Sequence, residues 1–133
     1  MTLEVSYRAG ANAGPVGAII EDADQLDHLL VAIAADDASD ALVIHRDRPR
    51  IGPRGIPDHQ LLIGVRGDIG AIHFADSTGS WVTRGKSPEN EPVYAEMEFP
   101  PHCEVPVRCL KDALAEFLRG RERPTCVEWQ DFD

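Results

Sequence analysis

The stretch from Gly67 to Trp81 reads GDIGAIHFADSTGSW, and it carries the clearest hairpin signal in the chain. The segment Asp68–Ala75 leads into Asp76–Gly79, which has Asp first and Gly fourth, as is typical of a type I turn. Ser80–Arg84 then returns beside the first segment. Gln60–Arg66 precedes it across a tight Gly-Asp turn, so the region predicts an antiparallel meander.

Outside the meander, alternating or β-branched residues predict further strands. These are Leu3–Tyr7, residues 41–46 (ALVIHR) and Thr125–Gln130. Two stretches rich in Gly and Pro, residues 8–17 (RAGANAGPVG) and 47–59 (DRPRIGPRGIPDH), predict loops.

The segment Pro92–Phe99, PVYAEMEF, predicts one more strand with two different faces. The expected core face holds Val93, Ala95, Met97 and Phe99. The expected solvent face, which we call the acidic ridge, holds Tyr94, Glu96 and Glu98.

Two segments have the spacing of amphipathic helices. The first runs from Ala23 to about Asp36, with an apolar stripe of Leu26, Leu29, Leu30 and Ile33. The second has Pro106 in its first turn and stops at Gly120, with a stripe of Val107, Leu110, Leu114, Phe117 and Leu118. The sum predicts an α+β fold, one domain over residues 1–133, with an antiparallel meander and two helices packed on one face.

Charge is unevenly distributed along the chain. Thirteen Lys and Arg residues stand against 23 Asp and Glu residues, which gives a net charge of −10. Residues 21–40 and 87–107 contain acids but no Lys or Arg, whereas residues 46–66 are rich in Arg. Such a chain repels phosphate backbones, so we expect no direct binding to nucleic acid. It attracts a basic protein, although acidity can also serve solubility alone.

Other features bear on location. No apolar run approaches the ~18 residues of a membrane span, so no membrane association is expected. The first residues, MTLEVSYRAG, lack the pattern of a secretory signal. Three cysteines at wide spacing suit reduced thiols. We therefore expect a cytoplasmic protein.

No motif in the chain predicts catalysis. His73 and Asp76 are three residues apart, so on a strand they point to opposite faces, and Asp76 is already explained by its turn. His and Cys residues lack zinc-ligand spacing, and no G-x-S-x-G or G-x-G-x-x-G motif occurs in its required context. We expect no catalytic residue, metal or cofactor. A small enzyme using His73 with a carboxylate of the acidic ridge remains an alternative.

Several motifs resemble the first-numbered family of bacterial immunity proteins, which belongs to polymorphic-toxin systems and is frequent in actinobacteria. They are GAIHFAD and GSW in the hairpin, VYAEMEFPPHCEVPV, the helix RCLKDALAEFLRG and the ending RERPTCVEW. The similarity covers about residues 60–130. It implies a cytoplasmic antidote that binds and blocks a cognate toxin domain without catalysis of its own. The toxins paired with this family are commonly deaminases or nucleases that act on nucleic acid.

We expect the partner, a basic toxin domain, to contact exposed acidic and aromatic residues. The candidates are Asp76, Trp81, Tyr94, Glu96, Glu98, Glu128, Asp131 and Asp133. Trp81 and Trp129 could instead belong to the core, and the terminal acids could be merely solvated. A third reading is an interaction module for another partner, or a homodimer joined along a sheet edge. The sequence leaves monomer and homodimer equally open.

Overall fold

The computed structural model describes residues 1–8, 15–34, 40–94 and 97–132. These residues contain two helices, α1 (Ala23–Ala34) and α2 (Val107–Gly120). The first strands are β1 (Leu3–Arg8), β2 (Pro15–Ile20), β3 (Asp40–His45), β4 (Arg50–Ile51), β5 (Ile56–Pro57) and β6 (His59–Arg66). The remaining strands are β7 (Ile69–Asp76), β8 (Gly79–Arg84), β9 (Val93–Tyr94), β10 (Met97–Glu98), β11 (Val105–Pro106) and β12 (Glu128–Asp131).

Eight of these strands form one sheet in which the observed pairs are antiparallel. The order is β12-β8-β7-β6-β3-β1-β2, with β11 paired to one end of β7. Strands β6, β7 and β8 are the predicted meander, and β12 lies beside β8. The predicted α+β class with an antiparallel sheet is confirmed.

The hairpin that opened the sequence analysis forms as predicted. β7 pairs with β6 on one side and with β8 on the other. In the β7–β8 turn, Oδ1 of Asp76 accepts hydrogen bonds from the backbone N–H and the hydroxyl of Thr78, at 2.8 and 2.6 Å. Gly67, in the β6–β7 turn, has a φ of 63°, which favours glycine.

Both helices pack on one face of the sheet. The predicted stripe of α1 is buried: Leu26, Leu29, Leu30 and Ile33. In α2 the buried residues are Leu110, Ala113, Leu114, Phe117 and Leu118, while Val107 is only partly buried. These side chains share a core with alternate residues of the sheet, among them Val43, Ile63 and Phe74. The predicted helices and their packing on one face are confirmed over the described residues, while the predicted end of the first helix near Asp36 lies outside them. Pro106 lies at the N-cap position of α2 instead of inside its first turn.

The opposite face of the sheet has a smaller core of its own. Leu62, Ala71 and Val82 project from β6, β7 and β8 on that side. They are covered by three buried side chains of the segment between β8 and α2, namely Tyr94, Phe99 and Cys103. We call this segment, residues 85–104, the covering segment. It closes the part of this face that β6, β7 and β8 form.

The predicted strand Pro92–Phe99 is wrong, and so is the predicted orientation of its residues. The chain instead forms a short antiparallel ribbon of β9 and β10 outside the main sheet. Tyr94 is 6% exposed and Val93 is 61% exposed, the reverse of the expected faces. Tyr94 turns inward because its ring lies against Gly64, which has no side chain to displace it, and because its hydroxyl donates to Glu104. Phe99 is buried as predicted.

Two predicted loops contain strands. β2 begins at Pro15, inside the stretch predicted as a loop (residues 8–17), and continues past that stretch to Ile20. It pairs with β1 along its whole length. β4 and β5 form a separate ribbon within residues 47–59. The turn of this ribbon places Gly52 at φ 76° and Gly55 at φ 62°. Pairing with a neighbouring strand outweighs the weak local preference of Gly and Pro for regular structure.

The contact between Gly64 and Tyr94 gives a test of the covering segment. A Cβ at position 64 would lie well inside contact distance of the Tyr94 ring. We expect Gly64→Ala to lower the free energy of unfolding by about 1–3 kcal/mol, because the ring must move away from the sheet. Gly120→Ala is the control, since a Cβ there meets open space. Equal urea midpoints for the two variants would contradict the packing described here.

Candidate functional site

Arg48 connects three parts of the chain near one end of the sheet. Its side chain is 11% exposed, and it donates to both carboxylate oxygens of Asp58 at 3.0 and 3.2 Å. A third nitrogen donates to the carbonyl of Arg121, just after α2, at 3.0 Å. A carboxylate oxygen of Asp76 lies 3.7 Å from the guanidinium. This one side chain therefore ties the β7–β8 turn and the start of β6 to the end of α2.

Two buried histidines extend this network into the core. Nδ1 of His59 donates to Asp58 at 2.9 Å, and Nε2 accepts from the backbone N–H of His45 at 2.8 Å. The ring of His45 accepts at Nδ1 from the N–H of Asp47 and donates from Nε2 to the carbonyl of Leu118. Each ring nitrogen already has a partner, so neither imidazole has a free lone pair for a substrate proton. The histidines hold β3, β6 and α2 together.

The charges around Asp58 and His59 favour one protonation pattern. Partial burial opposes ionisation of Asp58, but the hydrogen bonds from Arg48 and His59 outweigh it and lower the pKa of that carboxyl. Burial lowers the pKa of His59, although its bond to Asp58 acts in the other direction. The pair is therefore a carboxylate with a neutral imidazole.

His73, the catalytic candidate of the alternative reading, has no carboxylate partner among the described residues. Its Nε2 lies 2.7 Å from the hydroxyl of Ser80, and its Nδ1 is buried without a hydrogen-bond partner there. The ring makes edge contacts with Phe99 and Phe132, at centroid distances of 6.4 and 5.0 Å. Burial lowers the pKa of His73. The environment is that of a packed imidazole beside a hydroxyl.

A buried carboxylate anchors the covering segment. Glu104 has a fully buried side chain, and Arg66 donates to both of its oxygens at 2.6 and 2.7 Å. The Tyr94 hydroxyl donates to the same carboxylate. Burial and the nearby Glu104 raise the pKa of Tyr94. Burial also raises the pKa of the neighbouring Cys103 thiol to about 12. Tyr94 is thus part of the scaffold, and its predicted place on an exposed ridge is wrong.

Aromatic and charged side chains meet at the β8–β12 end of the helix-bearing face. The guanidinium of Arg123 lies 4.0 Å from the ring centroid of Trp81 and 5.8 Å from that of Trp129. Trp81 is half-buried and packs on Phe74, and the indole N–H of Trp129 donates to the carbonyl of Pro124 at 2.7 Å. The electrostatic attraction between a guanidinium and the face of an aromatic ring modestly stabilises such a stacked arrangement.

Acidic residues surround this aromatic centre. Asp131 is exposed and pairs in register with Trp81, and Asp76 stands two residues beyond Phe74 on the same face of β7. Glu122, whose side chain is 82% exposed, lies next to Arg123 and 3.9 Å from Arg48. We call these six residues the edge cluster: Asp76, Trp81, Glu122, Arg123, Trp129 and Asp131.

The structure brings together part of the predicted contact set. Asp76, Trp81 and Asp131 belong to the edge cluster. Glu128 is exposed on the same strand as Asp131, but its side chain projects from the other face. Glu98 is exposed on β10, which belongs to the separate β9–β10 ribbon outside the main sheet. Glu96 and Asp133 lie outside the described residues.

Sequence reasoning missed two members of the edge cluster, Glu122 and Arg123. Both lie in the segment RERP, which follows α2. Arg121 has a φ of 64° and ends the helix, which turns the chain back toward β8. The local signal for an exposed loop is present in the sequence, but the stacking of Arg123 on Trp81 is a contact 42 positions apart and has no local signal.

Two further observations limit the chemistry of the described residues. No group of three His, Cys, Asp or Glu side chains among them could hold a metal ion. Neither α1 nor α2 has the length and apolar character that a membrane-crossing helix requires.

The edge cluster has the composition of a protein-binding surface, in which aromatic and Arg side chains are bordered by exposed polar groups. The chain belongs to the Imm1 immunity protein family, whose sequence model matches residues 15–131. The resemblance found in the sequence is confirmed. Membership implies an immunity role, that of an antitoxin that binds a cognate toxin. A comparison with curated proteins found no match.

The buried imidazoles predict how stability depends on pH. Burial lowers the pKa values of His59 and His73 from 6.5, so the unfolded chain binds more protons than the folded chain below that value. We expect the free energy of unfolding to fall as pH drops from about 7.5 to about 5, by up to ~1.4 kcal/mol per pH unit for each imidazole.

The variant His73→Phe isolates the contribution of His73 to this pH dependence from that of His59. Phe does not titrate, and its ring can keep the contacts with Phe99 and Phe132. Its free energy of unfolding should depend less steeply on pH than that of the unsubstituted protein. Denaturant titrations at several pH values measure both slopes. Identical slopes would show that His73 is protonated equally in the folded and unfolded states.

Proposed function

We propose that this chain neutralises a cognate polymorphic-toxin domain that acts on nucleic acid, a nuclease or a deaminase, by covering its basic substrate groove. The proposal is supported by the immunity family to which the chain belongs and by its net charge of −10. The observation that carries the acidic mechanism is the pairing of four arginines of residues 46–66 with nearby carboxylates.

The arginine-rich stretch 46–66 does not present a basic patch. Arg48, whose side chain is 11% exposed, is paired with Asp58, and the half-exposed Arg66 is paired with the buried Glu104. Arg46 and Arg50 both lie near Glu4, at 3.8 and 2.9 Å. Four of the five cations in the stretch are therefore matched by nearby carboxylates. The negative charge of the chain is correspondingly displayed by exposed acids elsewhere, such as Asp22, Asp24 and Asp112.

A toxin that acts on nucleic acid needs a groove with positive potential to hold phosphates. An acidic protein can occupy such a groove, and its field accelerates the encounter. Electrostatic steering could raise association to ~10⁸ M⁻¹s⁻¹ at low salt, against ~10⁵–10⁶ for neutral partners. In the proposed mechanism the acids provide speed and orientation, and a smaller desolvated centre provides affinity.

The edge cluster is the proposed centre of contact. Trp and Arg are the residue types that most often dominate binding energy at protein interfaces. Trp81 and Arg123 are held in one stacked arrangement before any partner arrives, so little side-chain entropy is lost on binding. Asp131 is exposed beside Trp81, and Glu122 is 82% exposed although it approaches Arg48 at 3.9 Å, so both carboxylates can contact lysine or arginine side chains of the toxin.

The first experiment is co-expression with the toxin-domain gene encoded next to this chain. We expect growth to be rescued, and a 1:1 complex to survive gel filtration and to lack nuclease or deaminase activity. Association measured by stopped flow should slow as salt rises from about 20 mM to about 500 mM, because exposed charges are screened beyond ~10 Å at 0.1 M. Dissociation should change less. An association rate independent of salt would exclude the electrostatic part of the proposal.

Charge reversal tests the position of the contact. Glu122→Lys with Asp131→Lys should weaken toxin binding, by roughly 1 kcal/mol or a factor of about five for each reversed charge. Glu128→Lys is a matched comparison for Asp131→Lys, because both residues are exposed on β12 and project from opposite faces. Glu89→Lys with Glu91→Lys repeats the double change at exposed acids of the covering segment. Equal losses in both double variants would indicate a general charge effect and would remove the edge cluster as the centre.

Protection by a folded His73→Phe protein tests the absence of a catalytic role. The substitution lies inside the covering segment's core and leaves the exposed acids in place. We expect full growth rescue by this variant. Loss of protection from a stably folded His73→Phe protein that still binds toxin would support the enzymatic alternative instead.

A further inference from the structure

The two edges of the main sheet differ in the charge they carry. β12 forms one edge, and its exposed Glu128 and Asp131 discourage pairing with another strand. β2 forms the other edge, with the sequence PVGAII and no charged residue. An uncharged edge strand of this length presents unpaired N–H and C=O groups with which another strand can pair.

The register shows which backbone groups of β2 face outward. The N–H of Arg46 donates to the carbonyl of Thr2, which fixes the alternation along β1: even positions bond to β3 and odd positions to β2. Through the β1–β2 register, Val16, Ala18 and Ile20 are the residues that bond to β1. The N–H and C=O groups of Gly17 and Ile19 therefore point away from the sheet.

Neither end of this open edge offers a free N–H. Pro15 has no N–H to offer. The N–H of Glu21 donates to the side-chain oxygen of Gln25 at 2.5 Å. Between these ends, the two donors and two acceptors of Gly17 and Ile19 have no partner among the described residues.

We propose that β2 binds β2 of a second copy of this chain, antiparallel and related by a two-fold axis at Ala18. In that register Gly17 faces Ile19 of the second copy, and Ile19 faces Gly17. Each facing pair exchanges two N–H···O bonds, so all four open groups of each copy are satisfied. The open donors and acceptors of one copy therefore match those of a second copy in number and position. This self-complementarity favours a second copy over an unrelated strand.

The side chains fit the same arrangement. Ile19 is 44% exposed and lies on the face opposite the helices, in register with Glu4. A Cβ at Gly17 would meet open space, so the position can accept the Ile19 side chain of the second copy. On the helix-bearing face, Val16 would lie against Ile20 of the second copy. The contact is small and apolar, as in transient dimers.

Charge sets the salt dependence of this association. Each copy carries a charge of −10, and the exposed Glu21 follows β2 directly. In the paired strands the two Glu21 residues stand six positions apart, about 20 Å at the rise of a β-strand. Like charges at that distance are screened by salt, so self-association should strengthen as salt rises. Binding to a basic toxin should show the opposite dependence.

The test is sedimentation velocity of the purified chain from ~1 µM to ~1 mM, the range in which a small interface associates. We expect a monomer–dimer equilibrium that shifts toward dimer with salt. Ile19→Lys places two charges in the contact, and Gly17→Pro removes two of the four hydrogen bonds while sparing the bonds to β1. Each should weaken the dimer at least about tenfold.

Ile51→Lys is the control, since it makes the same change at an isoleucine that is 58% exposed on the β4–β5 ribbon, and it should dimerise normally. Circular dichroism melts establish that all variants fold. A chain that stays monomeric at ~1 mM, or an Ile19→Lys protein that dimerises as well as the unsubstituted one, would overturn the proposal. If Ile19→Lys instead weakens toxin binding by a monomeric chain, the edge belongs to the toxin and the proposal is wrong.

Discussion

The ion pair between Arg48 and Asp58 is the contact on which the candidate binding surface depends. It lies where β6 begins, and the same guanidinium holds the carbonyl of Arg121 at the end of α2. This contact therefore fixes where the next residues, Glu122 and Arg123, lie beside β8. Loss of the guanidinium would leave Asp58 and Asp76 as partly buried carboxylates without their cation, which is more costly than the loss of a surface pair. The position of Glu122 and Arg123 in the edge cluster therefore depends on this single cation.

The sheet is used differently on its two faces. One face carries both helices and the larger core, which accounts for most of the buried apolar side chains. The other face is closed over β6, β7 and β8 by the covering segment, which Glu104 fastens through Arg66 and Tyr94. The three hydrogen bonds to this buried carboxylate offset the cost of removing its charge from water, because each oxygen has a partner. The covering segment is thus a structural layer, and the surfaces left for partners are the ends and edges of the sheet.

Much of the fold could be predicted because its signals are local. The Asp76–Gly79 turn and the stripes of α1 and α2 depend on residues a few positions apart, and these predictions were confirmed. The first half of β2, residues 15–17, was predicted as a loop because Gly and Pro weaken the local strand signal, and only the pairing with β1 reveals the strand. Tyr94 was assigned to the wrong face because its position depends on the missing side chain of Gly64 and on Glu104 ten residues away. In the candidate site, Asp76, Trp81 and Asp131 were found by residue type, whereas the stacking of Arg123 on Trp81 arises from the return of the chain after α2.

The buried carboxylates that pair with Arg48 and Arg66 belong to the scaffold, whereas the exposed acids form the surface proposed to meet a partner. Arg48 and Arg66 hold carboxylates that are largely or fully buried, and of the exposed acids of the edge cluster Glu122 approaches Arg48, at 3.9 Å. We expect substitution of an exposed acid such as Asp131 to cost little stability, and under the proposed function it would alter recognition of the toxin. Relatives of this chain could acquire new specificities by surface substitution while retaining one architecture, and each change of toxin would require no redesign of the interior.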